Sequence, residues 1–287
     1  MQAIDWNALC AGEFSPTATA VTIGVFDGLH VGHRALIDRV VEGRDTRSLV
    51  LTFAVHPALV LDPAGFGGYL QSRAQTVSLL EAMRVDACVL IDFSERFRAM
   101  SGQEFLRKLA RAVDLRRLVI GYDFRCGHGP DMNPADIARF FSGSQTSVEI
   151  VNPVVLDGNP VSSSRLRRVL ADGGVDTVSR LLAAPYTIDL SAEAIAYDTA
   201  HAGVPITNGR TKVGMQVLPP PGHYDAELVG DPGATASRAA TTLTIDENSL
   251  RWPLAAIGTI RYIVVHERRT QGESNARNEG AQIGTRC

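Results

Sequence analysis

The sequence predicts a doubly wound α/β domain, a parallel sheet with helices on both faces, followed by a smaller β domain. Three observations carry that prediction. From about residue 18 to residue 186, short runs rich in β-branched residues alternate with helix-patterned segments. Those runs are near-continuously apolar, as strands of a parallel sheet buried on both faces must be. Beyond Tyr186 the helical pattern stops, and short strands are punctuated by Pro and Gly turns.

Taken in order, "ATAVTIGVF" reads as the first strand, and a helix follows from about Val31 to Glu42. "SLVLTF" is the second strand; the Pro- and Gly-punctuated "HPALVLDPAGFGGYL" after it reads as loop. A helix over about Ser72–Arg84 places Val77, Leu80 and Met83 on one face, and "DACVLID" is the third strand. Ser101 and Glu104 have the spacing of a capping box, opening a helix whose stripe is Phe105, Leu106, Leu109 and Val113. "RRLVIGYD" is the fourth strand, a helix spans about Pro134–Phe141, and "SVEIVNPVVL" is the fifth. The predicted organisation is an α/β domain over 1–186, a small barrel-like β domain over 187–266, and a polar, aperiodic tail over 267–287 that reads as disordered.

Composition narrows the setting. Hydrophobic residues make up 45% and charged residues 21%, the balance of a globular chain, and the net charge of −3 offers no basic field for nucleic acid or a membrane surface. The N-terminus does not resemble a signal peptide, and no apolar run approaches the roughly 20 residues that a membrane helix needs. Cys10, Cys88, Cys126 and Cys287 form no CxxC pair. They predict free thiols in a reducing cytoplasm and no protein-held metal site.

The stretch with most chemistry is "GVFDGLHVGH", residues 24–33. A helix beginning there exposes unpaired N–H groups and a partial positive charge, both favourable to phosphate. Gly24, Gly28 and Gly32 let backbone approach an anion, and His30 and His33 share one side of the first turn. Taken singly, each glycine serves a turn and each histidine is an ordinary side chain. Their combination at one strand–helix junction predicts a phosphate site in which imidazole N–H groups donate to phosphate oxygens. No Lys-Ser or Lys-Thr follows the glycines, which argues against a P-loop, and the absence of G-x-G-x-x-G disfavours dinucleotide binding.

Two more stretches carry candidate side chains. In "VSSSRLRR", Ser162, Ser163 and Ser164 offer hydroxyls and N–H groups at a helix start, while Arg165, Arg167 and Arg168 project away from the core stripe. A guanidinium there suits phosphate oxygens, although a capped helix with a basic face explains the same residues. In "GYDFRCG", the two-residue strand period puts Asp123 and Arg125 on one face. His56, before Pro57, is held in extended geometry.

Residues 24–33 resemble the GxFDGxHxGH form of the HxGH nucleotidyltransferases, with a Rossmann-like fold, and within them the adenylyltransferase module of bacterial FAD synthetases. "LTFAVHP", "VIGYDFRCGHG" and "VSSSRLRRVLADGGVDTVSRLLAAPY" are similar, in order, to that family's TFxPHP, VGxDFRFG and ISSTxIR…PY stretches. The resemblance spans about residues 18–186. It implies transfer of AMP from ATP to FMN, giving FAD and pyrophosphate, with Mg²⁺ held mostly by phosphate oxygens and water. It implies His30, His33 and Arg167 as catalytic residues, and Gly24, Phe26, Asp27, Gly28 and Ser162–Ser164 beside them as ATP contacts. His56, Asp123, Phe124 and Arg125 are implied at the flavin, with Cys126 standing where the family usually has Phe.

The second half departs from its family pattern. Riboflavin kinase modules resemble one another through G-R-x-x-G-[FY]-P-T-A-N; this chain keeps Gly209, Arg210 and Gly214, and a PPxG-x-Y turn at Pro220–Tyr224, but lacks P-T-A-N. The expectation is a degenerate kinase domain without kinase activity. Two alternatives stay open at this point: an adenylyltransferase acting on another phosphate ester such as pantetheine phosphate, or a flavin- or nucleotide-binding protein without turnover.

Overall fold

A computed structural model describes residues 1–14, 17–43, 45–190, 203–205, 216–230, 238–246, 249–252 and 260–269. The chain divides into two compact units, Met1–Gly67 with Arg73–Ser163, and Gly68–Ser72 with the residues from Ser164 onward.

In the first unit β1 (Gln2–Asp5) and α1 (Trp6–Cys10) precede β2 (Ala18–Ile23), α2 (Val31–Val41) and β3 (Arg47–Phe53). Then come α3 (Pro57–Leu61), α4 (Arg73–Ala82), β4 (Ala87–Ile91), α5 (Glu95–Arg98) and α6 (Gly102–Ala112). β5 (Asp114–Gly121), α7 (Pro134–Phe140), β6 (Ser147–Val151) and a small hairpin of β7 (Val155–Leu156) and β8 (Asn159–Pro160) complete it. The main sheet is parallel, in the order β1-β4-β3-β2-β5-β6.

The doubly wound expectation holds, and burial shows why. Along β2, β3 and β4, alternate residues enter two separate cores. Val21, Leu49 and Val89 join Leu9, Phe105 and Leu109 on one face, while Ala20, Val50 and Cys88 join Ile37, Val40 and Leu80 on the other. Each fully buried Leu, Ile or Val contributes roughly 1.5–3 kcal/mol. Strand order reverses at β2, which lies between β3 and β5. The crevice for ligands in such a sheet opens beyond the carboxyl ends of the strands at that reversal.

One element is added and four local expectations are corrected. The N-terminus, to which no element was assigned, adds β1 as a sixth, edge strand; Asp5 then caps α1 by accepting the N–H of Ala8 at 2.8 Å. The 56–70 stretch is not all loop, because Pro57 sits at a helix start where it needs no N–H donor. The fourth strand ends at Gly121, and Tyr122 and Asp123 form a turn closed by the Phe124 N–H on the Gly121 carbonyl at 3.0 Å. The two-residue period therefore does not reach Arg125. The fifth strand stops at Val151, ahead of Pro153, and the rest of that run turns back as the hairpin. The Ser101 hydroxyl caps α6 on the Glu104 N–H at 3.2 Å, but the Glu104 carboxylate pairs with Lys108 at 2.9 Å instead of closing the box.

In the second unit α8 (Ser163–Ala171) and α9 (Val175–Leu182) lead into β9 (Tyr186–Asp189), β10 (Gly203–Pro205), β11 (Gly222–Gly230), β12 (Arg238–Ile245), β13 (Ser249–Arg251) and β14 (Ile260–Arg268). The division from the first unit falls within the first turn of α8. The six strands form an antiparallel sheet, β10-β13-β12-β11-β14-β9, curled as a half-barrel. Register shifts beside Ala226 and Gly230 of β11 mark where that strand bends. The Gln216 amide accepts the Asp189 N–H at 2.8 Å and donates to the Leu70 carbonyl at 3.2 Å, tying segment 68–72 to β9. Gly209, Arg210, Gly214 and nearly all of the predicted tail lie outside the described residues.

Candidate functional site

The turn from β2 into α2 is fixed through its acceptors. The Val25 carbonyl accepts from the Thr52 hydroxyl at 2.9 Å, and the Asp27 carbonyl from the Ser163 hydroxyl at 2.8 Å. The Gly28 carbonyl accepts from the His33 ring at 2.9 Å, and the Leu29 carbonyl from Arg34 Nε at 3.0 Å. Oxygen lone pairs facing a phosphate would repel it; four of this turn's carbonyls are engaged by protein donors. Phe26 and Gly28 take φ values of 47° and 67°. For Phe26 that left-handed backbone is strain of the kind held at functional sites. A Cβ on Gly24 would stand 3.0 Å from the Phe26 ring, so glycine there makes room for that ring.

The two histidines form one unit. His30 is the N-cap of α2, and its Nδ1 accepts the backbone N–H of His33 at 3.2 Å. Its proton therefore resides on Nε2. His33 uses Nδ1–H as donor to Gly28, because a carbonyl can only accept, which leaves a lone pair on its Nε2. The rings stack with centroids 3.7 Å apart and planes at 17°, and the Phe26 ring meets His33 edge-on at 5.1 Å. A Cβ on Gly32 would lie 3.1 Å from the His30 ring, which explains the glycine between the histidines. Burial pushes His30 down to about 2, helped by the neighbouring His33. Burial also lowers His33 to about 4, against the opposing bond to Gly28. Both are neutral at pH 7, so the pair presents one ready donor, His30 Nε2–H, rather than the two that the sequence suggested.

Beyond the carboxyl ends of β2, β3, β4 and β5 lies a cavity of about 650 Å³. Ile23, Gly24 and Val25 line it, so the turn that leads to His30 and His33 begins at the cavity wall. Phe53, Phe93, Phe97, Phe105 and Phe124 make it strongly aromatic, and Arg98, Arg125 and His128 supply its polar groups. Its far wall is the loop 125–130, held by Asp131, whose carboxylate accepts the Gly102 N–H at 2.9 Å. Gly127, at φ 90°, packs so closely on Gly102 and Asp131 that no Cβ fits. Burial, with the Asp131 carboxylate adding to it, pushes the Cys126 thiol up to about 12, so this lining thiol is unreactive.

Of the residues expected at the flavin, Phe124 and Arg125 line the cavity, whereas His56 and Asp123 lie outside its lining. His56 instead caps α3, accepting the Ala58 N–H at 3.1 Å, with its ring against Phe66. Ser162 precedes α8, Ser163 and Ser164 begin it, and Arg167 lies in the second unit, where its Nε donates to the Gly68 carbonyl at 2.8 Å. Sequence reading missed Arg98 and Asp131, which no motif marks, and the aromatic lining. The spacing of Phe93, Phe97 and Phe105 was a visible signal for the last. Among the described residues no three His, Cys, Asp or Glu side chains gather as metal ligands, and no helix is long and apolar enough to cross a membrane.

The family model of FAD synthetase matches residues 13–165. A bifunctional riboflavin kinase/FMN adenylyltransferase of Listeria monocytogenes is 26% identical over 185 residues, covering 63% of this chain and 59% of that protein. This chain thus matches about three fifths of that relative's length. The protein of the same description in Escherichia coli K12 is 27% identical over 216 residues, 73% of this chain and 68% of its own. One from Pseudomonas fluorescens is 31% identical over 176 residues, 58% and 55%. The crystal structure of a macrolide-efflux protein from Streptococcus pneumoniae superposes with a TM-score of 0.73 at 22% identity, covering 89% of this chain and 95% of that one. At that identity the likeness concerns the fold alone.

Proposed function

The chain belongs to the FAD synthetase family, and from that premise we propose that it transfers AMP from ATP to FMN, releasing FAD and pyrophosphate. The observation that carries this reading is the continuity of the aromatic cavity with the histidine turn. One stretch begins at Ile23–Val25, which line a space suited to a flat aromatic acceptor, and runs on to His30, the cap of α2.

In this mechanism an FMN phosphate oxygen forms a bond to the α-phosphorus of ATP. The bond from that phosphorus to the bridging oxygen breaks, and its electron pair leaves with pyrophosphate. The nucleophile is already anionic, so no strong base is needed; the protein aligns the reactants and stabilises developing charge. His30 Nε2–H donates to that charge without itself being charged. His33 Nε2 becomes a donor once bound phosphate has raised its proton affinity. Arg167 and the serines at the start of α8 are proposed as triphosphate contacts on the strength of the family resemblance.

Magnesium enters as the counter-ion of the triphosphate and supplies charge neutralisation when bound. In this reading the ion would be held by phosphate oxygens and water. The second unit is proposed to lack riboflavin kinase activity, because the P-T-A-N residues are missing from its sequence. The test is to supply ATP and Mg²⁺ with FMN, riboflavin or pantetheine phosphate. FAD and pyrophosphate from FMN, with neither FMN nor FAD from riboflavin, is the expected result. Turnover of pantetheine phosphate in place of FMN would reassign the acceptor.

A further inference from the structure

We infer that Arg98 is the side chain that selects the acceptor by hydrogen-bonding the polar, carbonyl-bearing edge of the flavin ring. The inference rests on the FMN adenylyltransferase reading and adds to it a residue that no motif marked.

Arg98 ends the short helix α5 and lines a cavity whose walls are otherwise dominated by phenylalanine and aliphatic groups. Its Nε is enclosed by protein, while the side chain as a whole is 32% exposed, so the Nη end of the guanidinium is the part a bound acceptor can reach. Its one ion-pair neighbour, Glu95, reaches only the Nη2 end of the guanidinium, at 3.9 Å, and is itself 95% exposed. Such a pair is long and wet, and therefore weak. Hydrogen bonds from a charged donor to a ligand acceptor are among the stronger ones, so the Nη groups of a cavity-lining guanidinium can discriminate between acceptors.

The position of Arg98 is set from several sides. The His128 ring bonds its carbonyl at 3.1 Å, and the His128 N–H donates to the Met100 carbonyl at 2.9 Å, which brackets the residue against the loop after β5. Phe97, the residue before it, packs edge-on to Trp6 and Phe105. The backbone of Arg98 is thus held on an aromatic frame, from which its side chain extends along the cavity wall. Among the cavity's other polar groups, Arg125 and His128 are exposed at the mouth. The acceptor that Arg98 fits must bring oxygen or nitrogen lone pairs into an aromatic space. The pyrimidine edge of an isoalloxazine does so, whereas a bare phosphate would have to be dehydrated among phenylalanines.

The test compares full-length wild type with Arg98→Met, which keeps the aliphatic stem and its packing, and with Arg98→Lys. Steady-state FAD formation gives KM for FMN, KM for ATP and kcat. Fluorescence titration with lumiflavin, which has the ring but neither ribityl chain nor phosphate, isolates the ring. For Arg98→Met the expectation is a rise in KM for FMN of roughly 10- to 100-fold, the range for a hydrogen bond to a charged donor. Lumiflavin binding should weaken in parallel, with KM for ATP, kcat and the thermal unfolding midpoint unchanged; Arg98→Lys should recover part of the loss. A variant that weakens FMN but leaves lumiflavin unaffected would assign Arg98 to the phosphate and overturn the proposal. Unchanged FMN and lumiflavin binding in both variants would overturn it while leaving the adenylyltransferase reading intact. Wild-type protein that turns over no FMN would overturn that reading and this assignment together.

Discussion

Nδ1 of His30 accepts the backbone N–H of His33 at 3.2 Å, and this single bond ties the protonation of the site to the start of its helix. It leaves His30 with Nε2–H as a fixed donor. The companion bond from His33 Nδ1 to the Gly28 carbonyl, at 2.9 Å, leaves His33 with an outward lone pair. If phosphate binds at this turn as proposed, it is expected to bring a proton to His33. At pH 7 free His33 is unprotonated, its proton affinity having been lowered to about 4. Isothermal titration of MgATP in buffers of different ionisation enthalpy should show uptake approaching about one proton, absent in His33→Asn. Zero uptake by wild type would mean that His33 stays a lone-pair acceptor in the complex.

Gly32→Ala tests the geometry of the pair without removing an imidazole. The new Cβ would sit 3.1 Å from the Cε1 and Nδ1 atoms of His30, a ring with little freedom because it is 4% exposed. The expected outcome is a fall in kcat of roughly 10-fold or more from a displaced donor. Alanine itself suits a helix, so the loss in unfolding free energy should stay near about 1 kcal/mol. Full activity in this variant would show that His30 need not hold its observed position.

Buried neutral histidines also make folding stability depend on pH, with a definite sign. The imidazole of His30 falls from its ordinary 6.5 to about 2 on folding, so the unfolded chain binds the extra proton between those values. Stability is complete above pH 6.5 and is lost progressively as pH falls below it. His30 alone should account for about 2 kcal/mol lost between pH 7 and pH 5. Urea unfolding at the two pH values should show a smaller loss in His30→Asn, where Asn keeps a good N-cap. Equal losses in the two proteins would contradict a neutral buried His30.

Gly127→Ala probes the cavity wall. At φ 90° and against Gly102 and Asp131, the added methyl cannot be accommodated without moving the 125–130 loop. KM for FMN should rise several-fold while KM for ATP stays constant, with destabilisation of roughly 1–3 kcal/mol. A parallel rise in both constants would show that the loop also serves the nucleotide.

The parts of this site that were legible in the sequence are the local ones. Gly24 through His33 lie in one continuous stretch, so apolar run, glycines and histidines could be read together, and the structure sets them on one strand–helix junction. The cavity is assembled from the ends of four strands far apart in the chain. Arg98 acquires its meaning only from its place in the cavity lining and from His128, thirty residues away. The pairing of Asp123 with Arg125 failed because a hydrogen-bonded turn ended the strand at Gly121, and periodicity does not reveal where a ladder stops. The edge strand Gln2–Asp5 escaped notice because four mostly exposed residues carry almost no pattern, and pairing with Ala87–Leu90 is what makes them a strand.

In the proposed reaction the histidine turn supports transfer of the adenylyl group of ATP, α-phosphorus included, to FMN. Its most direct measurement is a single-turnover rapid quench with FMN and ATP labelled at the α-phosphate. The label should appear in FAD with wild type, and His30→Asn should slow its appearance roughly 100- to 1,000-fold, the loss typical of one preorganised donor. Label that never enters FAD, or that enters at the wild-type rate without His30, would contradict the account.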